Sequence, residues 1–560
     1  MSTSPDTFVR TLPNGLSVLL QESHDAPIAS FWVWYRVGSR DERPGFTGIS
    51  HWVEHMQFKG TPSLAKGAIF REVSKHGGTL NAMTSNDWTA YYETLPADRL
   101  DLSLQIEADR MANSLFDPEE TESERTVILS ERQGAENTPT FLLYEEVVGA
   151  AFRSHPYRHM VIGHETDLRA ISRDDLYTHY QHYYAPNNAF LVAVGDFDAP
   201  ELYSRIEATF GQLEQRAQIE RRQAVEPPQR GERRVTLRRP APTAYLRMAF
   251  HAPSAKHPDT PALLLADAVL SGGKGMGLGG GGPMGRSARF YRALVAAGLA
   301  RSASSDFDLY LDPYLFTVGV TALPGVEPSR VEAVVDAEIS RLRDETVSEM
   351  ELARALKQLK AQYVYSGEGV TNRAFWLGQM EMVDTHRRAA SLIGELETIT
   401  PDDIQRVAQT YLRPETRTVG WLVPEGEGGG GTDEEDVAAA FHRRWFLNRS
   451  SATSVNARSR RAPFERRELP NGTVVLGQAR PDDPSVFMRL RFAAGAMHDT
   501  DDRAGLAAFT ARMLFRGTTT RSFARFNEET DSLGATVGFE TGRRFVEVAI
   551  RSLREDLPAL

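Results

Sequence analysis

The chain has 560 residues, 41% hydrophobic and 25% charged, which exceeds one ordinary domain and suits three or four units with real cores. It contains no cysteine, so disulfides and thiolate metal sites are excluded and any metal must be held by His, Asp or Glu. A net charge of -11 argues against general nucleic-acid binding.

The first ten residues have no basic stretch and no apolar core, and so do not read as a secretory signal. No apolar run approaches the roughly 18–20 residues that span a bilayer. The expectation is a cytoplasmic protein with no membrane span.

Leu12-Pro13-Asn14-Gly15 is a turn signal, and Leu16–Leu20 and Ile28–Val37 follow as strands rich in aromatic and branched residues. Gly48–Phe58 reads as a helix, Thr79–Thr84 and Trp88–Leu95 as strands, and Leu100–Met111 as a helix. Asp117-Pro118 opens a long helix, with proline in its first turn. Ser172-Arg-Asp-Asp175 has capping-box character and starts another helix, which ends before Ala185-Pro186. Ala189–Val194 is again a strand. Strands and helices mix without strict alternation, which predicts an α+β fold.

Internal repeats divide the chain. Ile171–Pro186 is echoed at Ile399–Pro414, each with a Tyr-x-x-Pro ending. Leu12-Pro-Asn-Gly15 recurs as Leu469-Pro-Asn-Gly472, Phe58-Lys-Gly-Thr61 as Phe515-Arg-Gly-Thr518, and Gly77 as Gly534, all 457 residues apart. The expected organisation is a domain over 1–222, a second homologous domain over 223–424, a linker over 425–463 and the start of a third copy over 464–560. The last residue matches Ser103, so the sequence is expected to be truncated relative to a longer parent.

His51-Trp-Val-Glu-His55 carries the chemistry. Residues four apart share one helical face, so both imidazoles can reach one ion, and Glu54 lies beside them as a candidate general base. The order H-x-x-E-H inverts the H-E-x-x-H zinc helix. A catalytic zinc takes three protein ligands and leaves a fourth position for water. Glu131, in Glu124-Arg-Thr-Val-Ile-Leu-Ser-Glu131, is the best candidate for the third ligand. Glu124 lies two turns earlier on the same face and could support the site from behind. One zinc ion per chain is therefore expected.

His51–Thr61, Gly77-Gly-Thr-Leu-Asn-Ala82, Glu124–Glu131, His155-Pro-Tyr157 with Ile162-Gly163, and Tyr184-Ala-Pro-Asn-Asn188 leading to Val194-Gly-Asp196 occur in this order. Together they resemble the pitrilysin/insulinase family of zinc peptidases, which includes the mitochondrial processing peptidases. The resemblance implies mixed α/β sandwich domains, paired as a clamshell over a peptide or unfolded polypeptide. It also implies His51, His55 and Glu131 as zinc ligands, Glu54 as base, and Asn81 and Ala82 as substrate-binding positions on an edge strand.

The sequence departs from that pattern in two places. In the third copy His51, Glu54 and His55 become Ala508, Ala511 and Arg512, so this copy cannot bind zinc in the same way. An Arg and a Tyr seven apart, used in the family to hold the substrate carbonyl, are replaced in domain two by Leu294 and Arg301. A second half or a paired subunit would have to supply that pair, and a non-catalytic peptide-binding role is the alternative. Gly272–Gly285 lacks phosphate-loop spacing. It resembles the glycine-rich loop of the non-catalytic processing-peptidase subunit, or is a plain surface loop. His155, His159 and His164 read as surface or packing histidines.

Overall fold

The computed structural model describes residues 7–221, 225–275, 277–278, 284–425, 464–480 and 483–560. The expected linker lies outside these residues apart from Glu425, as does part of the glycine-rich stretch.

The first unit comprises β1 (Phe8–Thr11), β2 (Ser17–Glu22), β3 (Ile28–Tyr35), α1 (Ile49–Met56), α2 (Ala68–Lys75), β4 (Thr79–Thr84) and β5 (Thr89–Pro96). Helices α3 (Leu100–Asn113), α4 (Pro118–Glu136), α5 (Pro139–Ala151), α6 (Glu165–Ala170) and α7 (Arg173–Tyr183) follow, then β6 (Ala189–Gly195) and α8 (Ala199–Phe210). The six strands form one sheet in the order β1-β2-β6-β3-β5-β4. Only the β2–β6 pairing is parallel.

The second unit contains β7 (Arg233–Arg239), β8 (Tyr245–Ala252), α9 (Thr260–Ser271), β9 (Ala300–Phe307) and β10 (Tyr314–Ala322). It continues through α10 (Pro328–Asp344), α11 (Glu349–Ser366), α12 (Val370–Val383), α13 (Arg388–Glu397), α14 (Pro401–Tyr411) and β11 (Arg417–Pro424). Its sheet order, β7-β11-β8-β10-β9, repeats that of the first sheet without the outermost strand. The mixed α/β class expected from the sequence is borne out.

The two units share a core. Alternate residues of a strand face opposite sides of a sheet. Phe31, Val33 and Tyr35 of β3 pack in a cluster with Trp52, Ile128 and Tyr180 from the unit's own helices. Trp32 and Trp34, between them, join a cluster with Ala374, Leu377 and Met380 of α12 in the second unit. This explains why β3 is apolar on both faces from Phe31 to Tyr35 although its sheet is mainly antiparallel. The exchange is reciprocal: α5 of the first unit packs on β7, β8 and β11 of the second. Glycine makes both approaches possible. A Cβ on Gly378 would lie 2.2 Å from the Trp34 ring, and one on Gly420 2.2 Å from Val147.

The third segment holds β12 (Glu465–Glu468), β13 (Val474–Gly477), β14 (Ser485–Phe492), β15 (Thr536–Thr541) and β16 (Val546–Leu553), with helices Leu506–Met513 and Phe523–Ser532. Its elements recur at the 457-residue offset seen in the sequence: Ile28–Tyr35 against Ser485–Phe492, Ile49–Met56 against Leu506–Met513, and Thr79–Thr84 against Thr536–Thr541. Among the described residues, β12 pairs only with β13, and β14-β16-β15 form a separate sheet. Phe487, Phe492 and Phe509 are more than half exposed, whereas Trp52, the first unit's counterpart of Phe509, is fully buried. The segment docks on the second unit. Ser287 donates from its backbone N (2.8 Å) and its Oγ (2.6 Å) to Asp531, and Tyr365 donates to the Gly534 carbonyl at 3.0 Å.

Candidate metal centre

Helix α1 is held from both ends of its apolar face. Ile49, Trp52, Val53 and Met56 are buried against the sheet, and the Arg125 guanidinium lies 4.7 Å from the Trp52 ring centre. The helical period then turns His51, Glu54 and His55 to the other side. Its free N-terminal amides are satisfied by one buried carboxylate: Gly48 N donates to Glu42 Oε2 and Ser50 N to Glu42 Oε1, both at 2.8 Å. His159 Nε2 lies 3.0 Å from the same Glu42 Oε2, so this histidine is a buried partner of an acid.

Helix α4 begins where Asp117 accepts from Glu119 N and Glu120 N, with Pro118 in its first turn. It packs on α1 through buried Ile128, which lies between Glu124 and Glu131 in the chain. Those two glutamates are seven residues apart and so face the same way.

Among the described residues, His51, His55 and Glu131 form a group in which one ligand atom from each lies within 4.8 Å of the others. The two imidazoles meet edge to face at 4.6 Å between ring centres. His55 Nε2 is 3.8 Å from Glu131 Oε2. His51 Nδ1 and Glu131 Oε2 are buried and accept or donate no hydrogen bond, which leaves them available to an ion. Two imidazoles and one carboxylate are the donor set of a catalytic zinc, and they fit one.

The surrounding groups orient this set. Glu124 Oε1 is 2.8 Å from His55 Nδ1, which fixes the ring and turns Nε2 toward Glu131. Lys59 pairs with the other oxygen of Glu124. Thr84 at the end of β4 donates to Glu54 Oε2 at 2.6 Å. Lys59 and Thr84 escaped the sequence reading, because nothing in their spacing marks them as neighbours of α1 and α4.

Protonation follows from burial and charge. Burial and the nearby His55 push His51 down to about 3, so it is neutral and ready to ligate. Burial also disfavours the charged form of His55. The hydrogen bond that His55 donates to Glu124 and the charges of Glu54 and Glu131 outweigh it and raise the pKa. Burial raises Glu54 above the usual carboxylate range, against the pull of His55 and Thr84. Burial likewise raises Glu131, with the charge of Glu124 adding to it. Glu124 is lowered, because its bonds to His55 and Lys59 exceed the cost of its burial.

Asn81 and Ala82 lie on β4, the edge of the six-stranded sheet, opposite Tyr92 and Tyr91 of β5. Ala82 is buried and Asn81 half-buried. In the second unit Leu294 is fully buried in the core, and Arg301 near the start of β9 is exposed. Among the described residues, no helix is long and apolar enough to cross a membrane.

The sequence matches two family descriptions: "Insulinase (Peptidase family M16)" over residues 17–165 and 474–560, and "Peptidase M16 inactive domain" over 170–359. The chain is 27% identical over 413 residues to a protein of Arabidopsis thaliana named as the probable mitochondrial-processing peptidase subunit beta. That match covers 73% of this chain and 77% of the relative. It is 24% identical over 418 residues to the uncharacterized zinc protease YmxG of Bacillus subtilis (strain 168), covering 74% of this chain and 98% of that protein. Among solved structures, a protease from Helicobacter pylori superposes with a TM-score of 0.71 at 25% identity, over 75% of this chain and 100% of that one. The periplasmic protease PqqL from Escherichia coli superposes over 100% of this chain and 65% of its own, with a TM-score of 0.61 at 16% identity, a likeness of fold alone.

Proposed function

The chain belongs to peptidase family M16, and on that premise we propose that it is a zinc-dependent endopeptidase acting on peptides or unfolded segments. The observation that carries this reading is the convergence of His51, His55 and Glu131 beside a buried Glu54. Zinc held by these three groups would supply Lewis acidity, polarising the scissile carbonyl and acidifying a water toward a pKa of about 7.

The chain's own groups do the rest. Thr84 holds Oε2 of Glu54, and we assign the other oxygen to take the proton of the attacking water. Burial has raised the affinity of that carboxylate for a proton, which suits a group that accepts one and then passes it to the leaving amine. Glu124 keeps His55 in the tautomer that presents Nε2. The open edge of β4 at Asn81 and Ala82 would pair with substrate backbone, giving affinity with little dependence on side chains.

A second polypeptide half or a paired subunit would complete the active centre. Two observations support this. Leu294 and Arg301 stand where a carbonyl-holding pair is expected, and the third segment exposes large apolar side chains beside edges of β13 and β14 that no other strand pairs among the described residues. The relative from Arabidopsis thaliana is itself named as a subunit. The same two observations favour the rival reading, a peptide-binding member that does not cleave.

Metal content and cleavage of a quenched peptide library separate the readings. The expected result is about one zinc per chain and chelator-sensitive cleavage, with Glu54→Gln keeping the metal and losing at least a hundredfold in turnover. Wild-type protein without zinc, or Glu54→Gln cleaving at the wild-type rate, would sink the assignment.

A further inference from the structure

The second unit holds no metal group among its described residues, yet it reaches the turn that leads into the metal helix. The connection between β9 and β10 crosses to the first unit and is gripped there. Leu311 N donates to Asp87 Oδ2 at 2.9 Å, and Asp312 N donates to the Tyr157 hydroxyl at 3.2 Å. The Asp312 carboxylate pairs with Arg40 Nη2 at 2.8 Å and lies 3.2 Å from His155 Nε2. Arg40 is 10% exposed and Asp312 16%, so solvent screens this pair little. Through its other nitrogen, Nη1, Arg40 also meets the buried Asp87 at 3.4 Å, so Asp312 supplies the shorter of two ion pairs.

Arg40 sits in the turn Ser39–Asp41, whose next residue is Glu42, the cap of α1. Helix α1 has only eight residues, too few to be stable unaided, and His51 lies in its first turn. The position of the His51 ring therefore depends on how firmly Glu42 is held.

The third segment supplies an internal comparison. Asp499, the counterpart of Glu42, accepts from Gly505 N and Ala507 N at 2.9 Å each, so the acid cap recurs where no metal residues exist. The counterpart of Arg40 is Met497, which is 58% exposed. The cap thus recurs with the fold, whereas the position of Arg40 is held there by a residue that cannot form an ion pair.

We propose that Asp312 of the second unit is a positioning residue for the metal-binding helix, acting through Arg40 and Glu42 on His51. This rests on the reading of His51 as a zinc ligand. It gives the second unit a part in the metal centre without any ligand of its own.

The test uses the full chain, with zinc affinity from competition against a chromophoric chelator and amide exchange of residues 48–51 in the metal-free protein. Asp312→Ala should raise the zinc dissociation constant about fivefold and speed that exchange, the scale of a lost helix cap. Asp312→Glu should restore most of both. In an Arg40→Met background Asp312→Ala should add nothing. Wild-type affinity and exchange in Asp312→Ala would overturn the proposal, as would an equal loss in the Arg40→Met background. If the wild-type chain binds no zinc, the functional reading fails separately, and the exchange measurement alone decides the coupling.

Discussion

Glu124 offers the sharpest test of how the site is built. Its Oε1 receives the His55 Nδ1 hydrogen at 2.8 Å and its other oxygen meets Lys59, so it acts on the metal position only through His55. Glu124→Gln keeps an acceptor of nearly the same shape but removes the charge. Glu124→Ala removes both. Partners of this kind are worth about 10–100-fold in metal affinity, which is about 1.4–2.8 kcal/mol. The glutamine variant should fall near the lower figure, because the ring can remain oriented. The alanine variant should fall near the upper one, because His55 then loses its only orienting bond among the described residues. Zinc dissociation constants from chelator competition, on protein freed of metal by dialysis, resolve a tenfold change easily. If Glu124→Ala binds zinc as tightly as wild type, the orientation of His55 does not come from Glu124 and the reasoning fails.

Three further outcomes follow from the structure. Zinc must displace a proton from His55, whose pKa is raised, so the apparent dissociation constant should grow about tenfold per pH unit once the pH falls below that value. A pH-independent affinity between 5 and 7 would contradict this. Glu93 is fully buried beside Glu107 and Arg110, and burial with the charge of Glu107 raises its pKa well above the usual range. A raised folded-state pKa gives stability that is present at low pH and lost as pH rises through the raised value. Glu93→Gln should therefore flatten the fall in Tm as pH rises above the ordinary glutamate range, and a pH profile identical to wild type would count against a raised Glu93 pKa. Gly378→Ala would drive a Cβ into the Trp34 ring at 2.2 Å and should cost about 1–3 kcal/mol in a denaturation experiment; no loss would mean that α12 shifts freely on the sheet.

Much of the first unit was legible in the sequence. Thr79–Thr84 forms a strand over the expected residues, Asp117 and Ser172 cap their helices as their side chains suggest, and the 457-residue offset recurs element by element. Such features are written in nearest neighbours, periodicity and repeats. The histidines after α5 are packing or surface residues as expected, with His155 and His159 buried and His164 exposed. His155 and His159 each also meet a carboxylate that lies far away in the chain, Asp312 and Glu42.

By itself, then, the sequence determined the strand and helix periods, the repeats and the residue types able to hold a metal, because each depends on local spacing or side-chain chemistry. Tertiary structure alone decided which distant groups meet. It brought α4 across α1 so that Glu131 reaches His55, set Thr84 on Glu54 and Lys59 on Glu124, and exchanged α5 and α12 between the two sheets. It also carried Asp312 from the second unit to Arg40. Those meetings depend on how sheets close and helices cross, and no short window of the chain encodes that geometry.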